Sequence, residues 1–223
     1  MDLDLLSDTL PTHCLRYLFF ALLAFIVFAP LNTGDLGPRL IYLVLTLVML
    51  AAAVRMAWLQ PWARLIVIVL AIPAAFAAAA DAAKIKSEII PVLMIFTIAL
   101  FVYLTVRILH KIINDQVVTA ETLFGAACIY LLMGIVWALL YSLLSRIQPQ
   151  TLFYSEPLRP ADIVAAWPGY LFFSFSTLAT VGYGDITAGT ELARSVAILE
   201  IIAGVFYLAL LIGRLVDLYR PRS

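Results

Sequence analysis

Charge is what this sequence has least of. Only 13% of its 223 residues are Asp, Glu, Lys or Arg, about half the share with which a soluble domain meets water. The 14 basic and 14 acidic residues cancel to a formal net charge of +0, so nucleic acid and polybasic attachment to lipid have no electrostatic case. Cysteine is nearly absent too. Cys14 and Cys128 lie inside apolar runs and read as small buried hydrophobes, which excludes a disulfide framework and a metal pair. His13 and His110 are far apart in the chain. With no nucleophile–base pair and no glycine-rich phosphate loop, neither an enzyme nor a cofactor is expected. A basic leader is missing as well. The first residues are Met1-Asp2-Leu3-Asp4, so the first apolar run reads as a retained helix and not as a signal peptide.

What is abundant is apolar surface: 65% of residues are hydrophobic and the mean hydropathy is +1.06. Lipid is the solvent that tolerates such a chain. A bilayer core about 30 Å thick takes roughly 20 apolar residues per spanning helix. Six stretches qualify, at about 14–30, 40–57, 62–80, 89–113, 123–144 and 192–215. Asn32-Thr33-Gly34-Asp35 breaks the first pair as a loop, Trp58 and Trp62 flank Gln60-Pro61 as an aromatic belt, and 81–88 is a short polar connection. Pro73 is expected to kink the third helix.

The segment 145–191 is different. Its first half is polar and proline-rich, while 168–179 is apolar but only about a dozen residues long, too short to span. It reads as a re-entrant helix with Pro168 in its first turn, where a missing N–H costs nothing. The fold expected is all-α and integral to the membrane, with six transmembrane helices and a re-entrant helix between the fifth and sixth.

Thr180-Val181-Gly182-Tyr183-Gly184-Asp185 follows that short helix. The stretch 174–185 resembles the pore signature of the potassium-channel family, whose filters are loops of this kind. The resemblance covers about 123–215. It implies a pore domain at 114–223 (outer helix, pore helix, filter, inner helix) behind a four-helix sensor-like membrane domain at 1–113.

The chemistry of each letter can be stated. Potassium crosses only if something replaces its hydration shell, and stacked rings of backbone carbonyls do so. Turning consecutive carbonyls to one axis demands alternating backbone handedness, which Gly182 and Gly184 supply cheaply. Thr180 adds its hydroxyl beneath the last ring. Val181 and Tyr183 turn outward, the tyrosine against aromatics such as Phe172 and Phe173. The resemblance implies K+ as the permeant ion through Thr180, Val181, Gly182 and Tyr183. One filter per chain, with no internal repeat, implies a homotetramer in lipid. An outward filter implies a multi-pass protein of the plasma or bacterial inner membrane with both termini cytoplasmic. With that topology Lys and Arg fall at 16, 55, 64, 107, 111, 214, 220 and 222 inside and at 39, 84, 86, 146, 159 and 194 outside, eight against six. Gly204 falls where the family carries its inner-helix gate hinge. The pore helix is expected to point its negative C-terminal end at the cavity.

The sequence also departs from the family. Where many members carry a tryptophan and a glutamate bonded to the filter aspartate, this chain has Phe173 and Ser176, so Asp185 needs other partners. The fourth helix carries one arginine, Arg107, near its inner end. A voltage sensor carries several, so Arg107 and Lys111 read as topology determinants. Glu200 is the one acid well inside a span, one turn before Gly204. Two readings stand: a cation-attracting or pH-sensing acid near the gate, or a packing contact through Ser174 or Ser176. Arg194 is expected to pair with Glu191 or with a neighbouring subunit. Val205, Leu208 and Ile212 recur at helical spacing, either as a hydrophobic constriction or as packing positions.

The function expected is passive, potassium-selective conduction that is not voltage-gated, with Asp185 and Glu191 concentrating cations at the mouth. The alternatives are a weakly selective cation channel and a non-conducting sensor or scaffold. Eight residues follow position 215 and about thirteen precede the first helix, which leaves no room for a regulatory domain. A separate regulatory subunit stays open, as do membrane tension, lipid and pH.

Overall fold

The computed structural model describes residues 14–33, 36–56, 61–83, 85, 88–114, 119–148, 150–155, 160 and 166–219. Among the described residues, five helices are long and apolar enough to cross a bilayer: α2 (Leu36–Met56), α3 (Pro61–Ala82), α4 (Ile90–Asn114), α5 (Ala120–Ile147) and α7 (Glu191–Tyr219). At 1.5 Å per residue each reaches about 30 Å or more. The chain is a multi-pass helical membrane protein. α1 (Cys14–Val27) has 14 residues, about 21 Å, and passes into a 3₁₀ turn at Ala29–Thr33. The apolar run expected at 14–30 is thus shorter as an α-helix than as a pattern, because the chain tightens at Ala29-Pro30.

α1 to α5 form a closed ring. Each packs on the next, and α5 returns to α1. α1 buries Leu15, Leu18, Leu22 and Phe25, a stripe at helical spacing that faces the ring. Small residues let the backbones approach: Ala53, Ala63, Ala71 and Ala74 are all buried. Pro73 lies inside α3, which remains one helix through it. α5 starts at a reciprocal cap, with Thr119 and Thr122 each accepting from the other's backbone N–H.

One polar tie closes this ring on itself and another joins it to the last third of the chain. Arg146 of α5 pairs with Asp81 of α3 at 2.9 Å, beside a cavity of about 90 Å³ lined by Tyr42, Ala78, Thr97 and Ser142. Trp167 donates its indole N–H to the Tyr42 hydroxyl at 2.6 Å. α6 (Trp167–Leu178) is 12 residues long with Pro168 in its first turn, as the sequence predicts. It lodges between α5 and α7, while α7 packs chiefly on α6, α5 and the strand that precedes it.

One departure from the all-helical expectation is a two-stranded antiparallel ribbon. β1 (Leu152–Tyr154) pairs with β2 (Ile186–Ala188), with Phe153 opposite Thr187. The aromatic flank at Trp58, the loop residues Gly34 and Asp35, and most of the polar run at 156–165 lie outside the described residues, as does the side chain of Trp62.

Candidate ion-conduction site

α6 ends where its own carbonyls are taken up by the loop that follows. Ala179 N–H donates to Phe175, Thr180 N–H to Thr177 at 2.9 Å, and Val181 and Gly182 N–H both to Ser176, at 2.8 and 3.2 Å. The orphan carbonyls of the helix end are satisfied, and the loop's first amides are anchored. Thr180, Gly182 and Gly184 then adopt positive φ, at 57°, 58° and 83°. The handedness therefore alternates residue by residue. Gly182 and Gly184 sit where the sequence puts them. Thr180 is the surprise, since a β-branched residue rarely enters this region. Its strain is sustained by the Thr177 bond on one side and the Val181 bond on the other.

Around the loop the aromatics divide. Tyr183 stacks on Phe172, with centroids 5.4 Å apart and planes at 24°. Phe173 faces the other way and packs edge-on to Tyr141 of α5 at 4.9 Å. Of the two braces suggested for Tyr183, only Phe172 supplies one within the chain. Thr180, Val181, Gly182, Tyr183 and Gly184 are exposed in the single chain.

Asp185 turns its carboxylate onto the backbone N–H of Ile186 at 3.0 Å, and its own carbonyl accepts from Ser155 N–H at 2.9 Å. The ribbon thus holds the far end of the loop by main-chain bonds, where Phe173 has no side-chain donor and the Ser176 hydroxyl donates instead to the Phe173 carbonyl. Tyr154 of β1 lies against Gly169, where a Cβ would stand 2.7 Å from the ring. Burial pushes the Tyr154 phenol up, beyond its ordinary range.

Behind the loop, α7 approaches α6 at two points one turn apart. Glu200 is fully buried. Its Oε2 accepts from Tyr141 at 2.7 Å, and its Oε1 meets Ser174 at 2.5 Å. At Gly204 a Cβ would collide with the Leu178 carbonyl oxygen. Further on, Tyr207 donates to the Ala126 carbonyl at 2.6 Å. At the start of α7, Arg194 pairs with Glu191 at 2.9 Å, both exposed, so that pair adds little stability.

Residues 117–220 match a family model described as Ion channel. This segment is similar to an ion-channel domain. No curated protein matches the sequence. The match spans α5, β1, α6, the 180–185 loop, β2 and α7, so the matched segment contains every candidate residue named above.

Within this domain, Val205 and Leu208 are exposed on α7, and the Ile212 side chain lies outside the described residues. Arg107 sits on α4, outside the matched segment.

Sequence reasoning missed Tyr141 and the ribbon. A buried tyrosine needs a partner for its hydroxyl, but that partner is 59 residues away. Strands of three residues are too short for alternation to register.

Proposed function

We propose that four copies of this chain form a potassium-selective channel in the cell membrane, with the 180–185 loop as its filter. The observation that carries this reading is the alternation of handedness at Thr180, Gly182 and Gly184. The bonds from the Thr180, Val181 and Gly182 amides to α6 anchor the loop, and its backbone carbonyls replace water around a cation. Thr180, Val181, Gly182 and Tyr183 then coordinate K+, and Asp185 and Glu191 raise the cation concentration at the mouth. α6 serves as a re-entrant pore helix, its partially negative end toward the cavity.

The homotetramer is supported by exposure. Val181 and Tyr183 are 54% and 69% exposed in one chain, and Ile198, Ile202, Val205 and Phe206 of α7 are also open. Apolar surface on this scale calls for cover, and neighbouring copies supply it around a four-fold axis. With α1 counted as a sixth span, both termini lie in the cytoplasm and the filter opens outward. Purified protein in potassium-loaded liposomes carries potassium flux and rejects sodium on this reading. Equal reversal potentials in the two ions favour instead a weakly selective cation channel, which the self-capped Asp185 makes the second reading.

Conduction is passive and not voltage-gated. A gating arginine contributes about 2.3 kcal/mol per 100 mV, and true sensors use about three to four per subunit. α4 carries one arginine, Arg107, with Lys111 in its last turn. The conductance–voltage relation of planar bilayers is therefore shallow, and Arg107→Gln leaves it unchanged. A steep curve flattened by Arg107→Gln would overturn this assignment.

A further inference from the structure

A carboxyl inside a membrane helix is costly unless its oxygens are engaged, and Glu200 is engaged by three elements at once. Tyr141 on α5 and Ser174 on α6 are, like Glu200 on α7, fully or almost fully enclosed. Ser174 Oγ lies 2.5 Å from Glu200 Oε1 and 2.8 Å from the Gly134 carbonyl of α5. A serine hydroxyl has one proton, so it cannot donate to both. With Ser174 donating to Gly134, a proton on the carboxyl makes the shorter contact, and every polar atom of the set has a partner. Gly134 fits this arrangement twice over: a Cβ there would strike the Phe175 ring, so glycine lets α6 approach and its carbonyl reach Ser174.

The cluster touches the filter through one short covalent path. Ser174 is two residues before Ser176, whose carbonyl holds the amides of Val181 and Gly182. One turn along α7 from Glu200, Gly204 seats against the carbonyl of Leu178, two residues before Thr180. A rotation or slide of α6 large enough to break the Glu200 contacts moves the Ser176 carbonyl with it.

We propose that Glu200 is the positioning residue of the filter, a pin from the inner helix that fixes the rotation and depth of α6 against α5 and α7. It acts from behind the loop, where Phe173 and Ser176 leave the outer aspartate without a side-chain brace. The carboxyl faces no other charged group across these contacts: its neighbours are the Tyr141 and Ser174 hydroxyls.

This inference rests on the filter reading, and the experiment separates the two. Potassium-to-sodium permeability ratios are read from reversal potentials in liposome-fused bilayers, with tetramer assembly followed by size exclusion. A wild type without potassium preference overturns the filter reading, and the inference with it, before any variant is made. In a selective wild type, Glu200→Leu and Ser174→Ala lower the ratio about tenfold or more, the scale of a lost buried hydrogen bond. Tyr141→Phe gives a smaller fall.

Glu200→Gln supplies one donor and one acceptor in the same shape and stays within about twofold of wild type. Should Glu200→Leu fail to assemble, Ser174→Ala and Tyr141→Phe each remove a single hydroxyl and carry the test. Wild-type ratios in assembled Ser174→Ala and Tyr141→Phe tetramers overturn the proposal. So does Glu200→Gln behaving like Glu200→Leu, which makes the charge of the acid, and not its hydrogen bonds, the working property.

Discussion

Gly182→Ala abolishes potassium selectivity, or current altogether, while the helices and their assembly stay intact. Gly182 holds φ at +58° with no atom within 4 Å of the place a Cβ would take in the single chain. Space is therefore not the constraint; handedness is. Forcing an L-residue into this region costs roughly 1–2 kcal/mol, and four copies around one axis make it about 4–8 kcal/mol. The loop has a cheaper escape, which is to flip the peptide and turn a carbonyl away from the ion path. Potassium flux from liposomes and circular dichroism of the same sample measure the two halves of this expectation. Wild-type selectivity in Gly182→Ala would remove the loop as the filter.

Gly204→Ala has the second largest effect, and it separates two roles for that glycine. As a hinge, Gly204 would bend α7. Alanine there would stiffen the helix by about 1 kcal/mol, lowering open probability without touching selectivity. The structure gives it a tighter duty, because a Cβ would meet the Leu178 carbonyl, a backbone atom that cannot swing aside. Overpacking of this kind costs about 1–3 kcal/mol per site. The relief available is to push the end of α6 off α7, taking Thr177 and Ser176, the acceptors of the loop amides, with it. The expected result is a channel whose remaining current has lost discrimination between potassium and sodium. Unchanged permeability ratios with rarer openings would restore the hinge.

The sequence carried the pore half further than the first half, for physical reasons. Gly182 and Gly184 were legible because only glycine enters positive φ freely. Pro168 was legible because proline suits a first turn. Five of the six expected spans were legible because the bilayer fixes their length. Where α1 ends was not, since an apolar run looks the same whether α-helical or tightened into a 3₁₀ turn at Ala29. Thr180 at φ 57° was not legible either, because that conformation is imposed by the Thr177 and Ser176 carbonyls and is no preference of threonine.

Glu200 shows the boundary within one residue. Its position in a span marked it as unusual, and Ser174 was within reach of helical reasoning. Tyr141 was not, because only tertiary packing brings it there. The Asp81–Arg146 pair escaped the same way, joining residues 65 apart.

The ribbon of β1 and β2 has a consequence for the chain as a polymer. Pairing Tyr154 with Ile186 closes 155–185, with α6 and the 180–185 loop inside it, into a ring of chain. Closing a loop of that length costs on the order of 3 kcal/mol of configurational freedom, which the ribbon meets within one chain. In the proposed tetramer that cost would already be met in each copy. The same closure makes the segment one cooperative unit. When the Gly189–Thr151 and Ser155–Asp185 bonds open, the short helix and its loop are released together, and their amides exchange with solvent as a set.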